Sequence, residues 1–197
     1  GPMPDVYHIL KNNHQITDLT LTLTDLYPNR QLAAQINNGG DENITYTTEP
    51  VDATNIDAGE VGVRTMVGGF HHMKPKNGRQ ILKDARDNRQ PICIFELSDN
   101  SFSIALWWIS LPIQFLMTLF ITPFVRPMTW QQIVFTYLVP IIPLCFTWDG
   151  AVSNARTYTL SDMDILLEGL ETHDYQWEKG TIGGKARKLY LSGWPVS

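Results

Sequence analysis

Clustered positive charge is missing from this sequence. Fifteen lysines and arginines face 20 aspartates and glutamates for a net charge of −5, and only Lys185, Arg187 and Lys188 stand close together. Duplex binding needs a basic face against the phosphates, so nucleic acid is excluded as the main partner. Cysteine is scarce too. Cys93 and Cys145 lie far apart, each in an apolar run, and no CxxC occurs. That excludes a zinc knuckle or a redox pair and reads as buried thiols in a reducing compartment, the cytoplasm. No set of His, Cys and carboxylates has metal-ligand spacing. The adjacent His71 and His72 cannot easily converge on one ion, so no metal is expected. The run from Gly180 to Ala186, GTIGGKA, lacks both the spacing and the Ser or Thr of a phosphate-binding loop.

Charge of either sign is nearly absent between Asp99 and Asp149, where Arg126 stands alone. The segments 100–125 and 127–148 are each long enough for a bilayer core, which takes roughly 20 apolar residues. Pro112, Pro123, Pro127, Pro140 and Pro143 interrupt them, and Gln114, Gln131 and Gln132 add polar groups. Two helices buried over a sheet, a hairpin dipping into one leaflet, and two spanning helices all fit the apolar length. The hairpin is the favoured reading. It returns the chain to the side it left, as one domain formed by the flanking segments requires.

What is present has α/β grammar. Val6, Ile9 and Leu10 are spaced as one face of a helix over Asp5–Asn13, and Leu19–Leu23 alternates as a strand. Pro28 fits the first turn of a second helix, which Asn37-Asn38-Gly39-Gly40 stops. Strands follow at Ile44–Val51 and Arg64–Val67, then a helix over Lys76–Asn88. Ile92–Leu97 is near-continuously apolar, as in a strand covered on both faces. Leu160-Ser161-Asp162 opens a last helix, and Tyr175–Lys179 and Arg187–Leu191 read as a closing antiparallel pair about a Gly-rich turn. Such alternation predicts a sheet with crossover helices.

In such a sheet, ligands sit outside the carboxyl ends of the strands. The first strand ends in Asp25, which can accept from ribose hydroxyls, and the second in Asp52, within reach of an adenine amino group. Taken singly, each is also an ordinary turn or helix-capping residue. The third strand ends in Gly68-Gly69, where bare backbone can lie against a ligand. His71 is a candidate general base and equally a turn histidine lining the cleft. Asp149 and Arg156 are read as a structural ion pair, with a head-group clamp as the other use.

These stretches resemble class I S-adenosylmethionine-dependent methyltransferases. LTLTDLYPN (Leu21–Asn29), PVDA (Pro50–Ala53) and RTMVGGFHHMKP (Arg64–Pro75) look like that family's second, third and fourth strands with their turns. ICIFELSD (Ile92–Asp99) looks like the fifth strand, and YQWEKG with LYLSGWP like the closing pair. Bacterial methyltransferase-like proteins of unassigned substrate are similar also through TPFVRP, WDGAVSNARTYT and GWP, so the likeness spans nearly the whole chain. It implies a Rossmann-like sheet in three parts: a cofactor half at 1–99, an apolar helical-hairpin insertion at 100–148, and a C-terminal helix and strand pair at 149–197. It implies S-adenosyl-L-methionine as cofactor, with Asp25 on the ribose, Asp52 and Ala53 on the adenine, and Gly68, Gly69 and Phe70 at the methionine end.

The departure is at the start. The family's first strand and Gly-rich loop precede the second strand, whereas here only one helix length does, with Gly1-Pro2 as the candidate end of that loop. The family's first strand lies centrally, between the second and fourth. Its absence implies a truncated chain, or a sheet completed by a partner chain or second copy, because open edges invite pairing. Two functions follow: a methyltransferase acting on a lipid-soluble or amphipathic acceptor, or a non-catalytic membrane-associated scaffold retaining the fold. Membrane lipid is the expected partner of the apolar insertion in either case, through peripheral or monotopic attachment.

Overall fold

The computed structural model describes residues 2–98, 104–183 and 187–196. Gly1, the start of the apolar run at 99–103, and Gly184 and Lys185 of the closing turn lie outside the described residues.

Helix α1 (Met3–Asn13) leads into strand β1 (Leu21–Leu23), helix α2 (Arg30–Asn37) and strand β2 (Ile44–Tyr46). Pro28 falls before α2 and not in its first turn. Asn29 is the N-cap, its side-chain oxygen accepting from Leu32 N at 3.0 Å. β1 and β2 are parallel, with Leu21 opposite Ile44 and Leu23 opposite Tyr46. The second strand is shorter than the predicted Ile44–Val51. The Asn37 side chain donates to Tyr46 O at 3.0 Å and accepts from Tyr46 N at 2.7 Å. It occupies the groups that a further strand would need, and Pro50 has no N–H to extend the ladder.

Strand β3 (Arg64–Val67), a 3-10 turn at Phe70–His72, helix α3 (Pro75–Asp87) and strand β4 (Ile92–Glu96) form a parallel crossover unit. Strands β5 (Tyr175–Ile182) and β6 (Lys188–Pro195) close the sheet as an antiparallel hairpin, in the order β3-β4-β6-β5. Both are longer than the sequence pattern suggested, and their ladder runs from Tyr175 opposite Pro195 to Ile182 opposite Lys188. Among the described residues β1 pairs only with β2, and β3 has β4 as its only strand neighbour, so the two sheets have not closed directly on each other.

The core lies between this four-stranded sheet, α3 and helix α7 (Leu160–Leu167), where Leu82, Ile94, Met163, Leu189 and Leu191 are fully buried. α7 begins at Leu160, where the sequence reading opened it, and Thr159 and Asp162 cap it reciprocally. α3 approaches the Phe70 turn closely because Gly78 has no side chain: a Cβ there would stand 3.1 Å from the Phe70 ring.

The apolar run folds as helix α4 (Ile104–Ile121), a short helix α5 (Trp130–Ile133) continued by a π turn to Leu138, and helix α6 (Ile141–Arg156). α4 packs along α6, and the Tyr137 hydroxyl donates to Leu119 O at 2.6 Å. Among the described residues no single helix is long and apolar enough to cross a membrane. The second apolar segment is broken at Val139-Pro140, where its two helical pieces meet at 77°, because a proline ring cannot continue the helical hydrogen bonding. Nor are these helices buried: Trp108, Phe120, Phe124, Trp130, Leu138 and Trp148 present large apolar side chains to the outside.

α6 runs without interruption through residues 148 and 149. Asp149 and Arg156 therefore sit on one helix, both exposed, and no ion pair joins them. Seven residues is two turns, about 10 Å along the axis, and helical partners need a spacing of three or four. The expected structural pair is thus corrected.

Candidate functional site

Parallel pairing brings Asp25 and Asp52 side by side. β1 hands its last backbone bond onward: Val51 N donates to Asp25 O at 2.9 Å, so the two strand-end turns are neighbours. Asp25 Oδ1 accepts from Tyr27 N at 2.8 Å, and Asp52 Oδ1 accepts from both Thr54 N and the Thr54 hydroxyl at 2.8 Å. Those Thr54 bonds hold the Asp52 carboxyl below the usual carboxylate range. Each carboxylate thus closes its own turn with one oxygen. In both, Oδ2 makes no hydrogen bond among the described residues and is free to accept from a ligand hydroxyl or amine. Beside them, Leu26, Tyr27, Pro28, Arg30, Thr48 and Pro50 line a surface depression of about 300 Å³.

The next residues tie these turns to the larger sheet. Ala53 packs against the core cluster that holds Phe70, Ile56 N donates to Asp84 of α3 at 3.4 Å, and the Gln80 side chain donates to Thr54 O. Gly68 follows β3 in the left-handed region at φ +61, where a side chain would be strained, and its N–H donates to Phe95 O at 2.8 Å. The Phe70 ring is wholly buried against Tyr158, with centroids 5.2 Å apart, so this residue faces the turn only through its backbone. The Gly68 carbonyl and Gly69 N–H remain without partners among the described residues.

At the end of β4 stands a residue the sequence reading passed over. Glu96 is 1% exposed, and Oε1 accepts from Phe70 N at 2.7 Å and His71 N at 3.1 Å. Its Oε2 lies 2.8 Å from His71 Nδ1. One carboxylate therefore fixes both the backbone of the turn after β3 and the ring of its histidine. The signal was available. Ile92, Ile94 and Glu96 share one face of the strand, and a carboxylate on a buried face must find several donors. The His71 ring is packed against that of His72, centroids 4.1 Å apart, and the start of the next segment is held by a Ser98–Asn154 hydrogen bond to α6. Among the described residues no three His, Cys, Asp or Glu side chains converge.

No protein-family model matches the chain, and no curated protein matches it. Among solved structures it is similar to a pericyclic reaction enzyme at 9% identity and TM-score 0.54, the match covering 100% of this chain and 41% of that one. It is similar also to LepI in complex with S-adenosylmethionine, at 10% identity and TM-score 0.54, covering 100% of this chain and 41% of that one. LepI with a cysteine-to-alanine substitution, bound to S-adenosylhomocysteine and a substrate analogue, matches at 10% identity and TM-score 0.52 over 95% of this chain and 39% of its own. The chain spans about two-fifths of the length of these structures. At such identities the likeness concerns architecture alone: the chain shares the mixed α/β fold of these structures, two of which were solved with S-adenosylmethionine or S-adenosylhomocysteine bound.

Proposed function

We propose that this chain is a Rossmann-like, S-adenosylmethionine-dependent methyltransferase-like domain. One observation supports this above the others: two parallel strands deliver Asp25 and Asp52 to adjoining turns, each with a free carboxylate oxygen, in a fold shared with S-adenosylmethionine-binding proteins. The donor set suits a nucleoside. Asp25 Oδ2 would accept from the ribose hydroxyls, and Asp52 Oδ2 from the adenine amine, with Ala53 beside it. The open Gly68 carbonyl and Gly69 N–H would meet the methionine end. When bound, the cofactor supplies an electrophilic methyl group and leaves as a neutral thioether. The protein's part is to position the acceptor and exclude water, the usual source of rate in such displacements.

The exposed apolar side chains of α4, α5 and α6 favour an acceptor that is itself lipid-soluble or amphipathic, and attachment to a lipid surface through the same residues. Calorimetry of the full-length protein with S-adenosylhomocysteine tests the nucleoside site. A micromolar Kd is expected, and Asp25→Ala should weaken it by about 1.5–3 kcal/mol through loss of charge-assisted hydrogen bonds. Unchanged affinity in the variant refutes the assignment. No binding at all would leave the non-catalytic scaffold as the function of the fold.

A further inference from the structure

The three apolar helices are built inside out. The polar residues of α4 are Ser110, Gln114 and Thr118, spaced every fourth position; Thr122 continues the row, and none of the four is exposed. α6 packs along α4 and buries Pro143 and Thr147, and a Cβ at its Gly150 would stand 2.6 Å from Gln114 Oε1. Thr136 of the π turn is buried as well. The Thr118 hydroxyl donates to Gln114 O at 2.9 Å and that of Thr122 to Thr118 O at 2.7 Å. Those of Thr136 and Thr147 are buried with no partner among the described residues. Outside, the order is reversed: every exposed residue of α4 from Trp108 to Ile121 is apolar.

Water favours the opposite arrangement, with hydroxyls outside and tryptophan, phenylalanine and leucine within. Small and hydroxyl-bearing residues between helices, with large apolar ones outward, suit a surround of hydrocarbon. There hydroxyls bond to carbonyls of their own helix and small residues let the backbones approach. A helix that lies on a membrane keeps a polar face for water. α4 has turned its polar face toward α6 instead. Resting on the lipid-attachment part of the reading above and not on its cofactor site, we propose that the α4–α6 hairpin is embedded lengthwise in one leaflet. Hydrocarbon is then the partner of its outward side chains, and Arg126 reaches the lipid phosphates.

Two observations set the orientation. No single described helix is long and apolar enough to cross, whereas a helix about 10–12 Å across fits within half of a core of roughly 30 Å. The exposed polar side chains also stand toward two ends. Arg126, Thr129 and Gln131 lie at the α4–α5 turn, and Asp149 and Arg156 toward the sheet, with Trp130 and Trp148 beside them. An upright hairpin would carry Arg126 toward the bilayer centre, where a charge is costly. Laid lengthwise, both ends stay at the headgroup level that tryptophan prefers.

The test reads depth along one face of α4. Ile109, Ile113, Leu116 and Phe120 are all exposed. At 3.6 residues per turn they lie within about 60° of one another and spread over about 16 Å of the axis. Each is replaced by a single cysteine in the full-length protein carrying Cys93→Ala and Cys145→Ser, and is given a nitroxide label. On vesicles of phosphatidylcholine and phosphatidylglycerol, relaxation by oxygen against a water-soluble nickel chelate gives the depth. All four labels should sit at one common depth in the core. Upright insertion instead predicts a depth growing by about 16 Å from Ile109 to Phe120, and a gradient of more than about half that overturns the proposal. So do labels as open to the nickel chelate as in water. Labels shielded from both reagents, in a protein that sediments as a dimer, give these faces to a second copy and overturn it as well. Arg126→Leu, otherwise wild type, should weaken partition onto these anionic vesicles by about fivefold, the worth of one cation near such a surface. Unchanged or tighter partition refutes the placement of Arg126. A depth gradient leaves lipid attachment standing, whereas a wild-type protein that does not bind vesicles sinks both. S-Adenosylhomocysteine binding, measured on the same sample, reports separately on the cofactor site.

Discussion

Removing one member of the Arg64–Asp84 pair should cost far more than removing both. Arg64 at the start of β3 meets Asp84 of α3 at 2.6 Å, with side chains 12% and 9% exposed. Two further nitrogens of Arg64, Nε and Nη2, are buried with no partner among the described residues, where the guanidinium depends on this one carboxylate. Asp84→Leu leaves a buried cation uncompensated, and breaking such pairs costs about 3–5 kcal/mol. The low end applies here because the guanidinium is not fully sealed and can draw in water. With a urea m-value of about 2 kcal/mol/M, a loss of about 3 kcal/mol moves the midpoint down by about 1.5 M. Replacing both, as Arg64→Met with Asp84→Leu, removes the desolvation cost together with the attraction and should return stability to within about 1 kcal/mol of the original. Urea melts followed by circular dichroism, on the four proteins of the cycle, measure the coupling. Asp84→Leu costing under about 1 kcal/mol, or a double variant as unstable as the sum of the singles, refutes the account. The pair also bears on the site, because Ile56 N shares Asp84 Oδ2 and anchors the loop that follows Asp52.

Burial pushes the Tyr175 phenol up to about 12 from its ordinary 10, with the Arg64 guanidinium drawing it slightly back. The folded state thus keeps this proton while the unfolded chain releases it, so the contribution is intact below pH 10 and lost between pH 10 and 12. At most about 2–3 kcal/mol is involved, and Tyr175→Phe should flatten that part of the stability profile in alkaline melts. Gly193→Ala would put a Cβ 2.5 Å from the Trp177 ring and 2.8 Å from that of Tyr175. Neither ring is free to move, since Trp177 Nε1 donates to Leu170 O and the Tyr175 hydroxyl to Gln90 O, so a loss of about 1–3 kcal/mol is expected in the same melts. If the apolar helices meet lipid, the protein should float with liposomes and Phe124→Asp with Trp130→Asp should release it. Only a modest salt effect is expected, because Arg126 is the sole charge between Asp99 and Asp149. A wild-type protein that stays at the bottom of the gradient returns these helices to an acceptor-binding role alone.

Where local chemistry decides, the residues were legible in order. The alternation of Leu21 with Leu23, the Arg64–Val67 strand and the helix read over Lys76–Asn88, which the structure begins one residue earlier at Pro75, are set by side-chain period and turn residues, both properties of neighbours in the chain. Asp25 and Asp52 were found for the same reason, since strand ends and turns are local. Strand length was less legible. At Tyr46, the last residue of β2, a side chain nine residues earlier fills the edge facing away from β1, and β5 runs to Ile182 because β6 lies beside it throughout. Asp149 and Arg156 show the same gap in another form: their meaning depended on whether a helix ran through them, which a Gly at position 150 obscured.

The sequence by itself determined the α/β order of elements, the strand-end carboxylates and the long stretch without charge. These follow from periodicity, turn residues and composition, which need no distant partner. Only the tertiary structure decided that the turns of Asp25 and Asp52 adjoin, through Val51 N on Asp25 O, and that Glu96 reaches back 25 residues to meet His71 Nδ1. Such contacts depend on register and burial across strands far apart in the chain. A buried carboxylate is recognised as a positioning group only once the donors that satisfy it are in place.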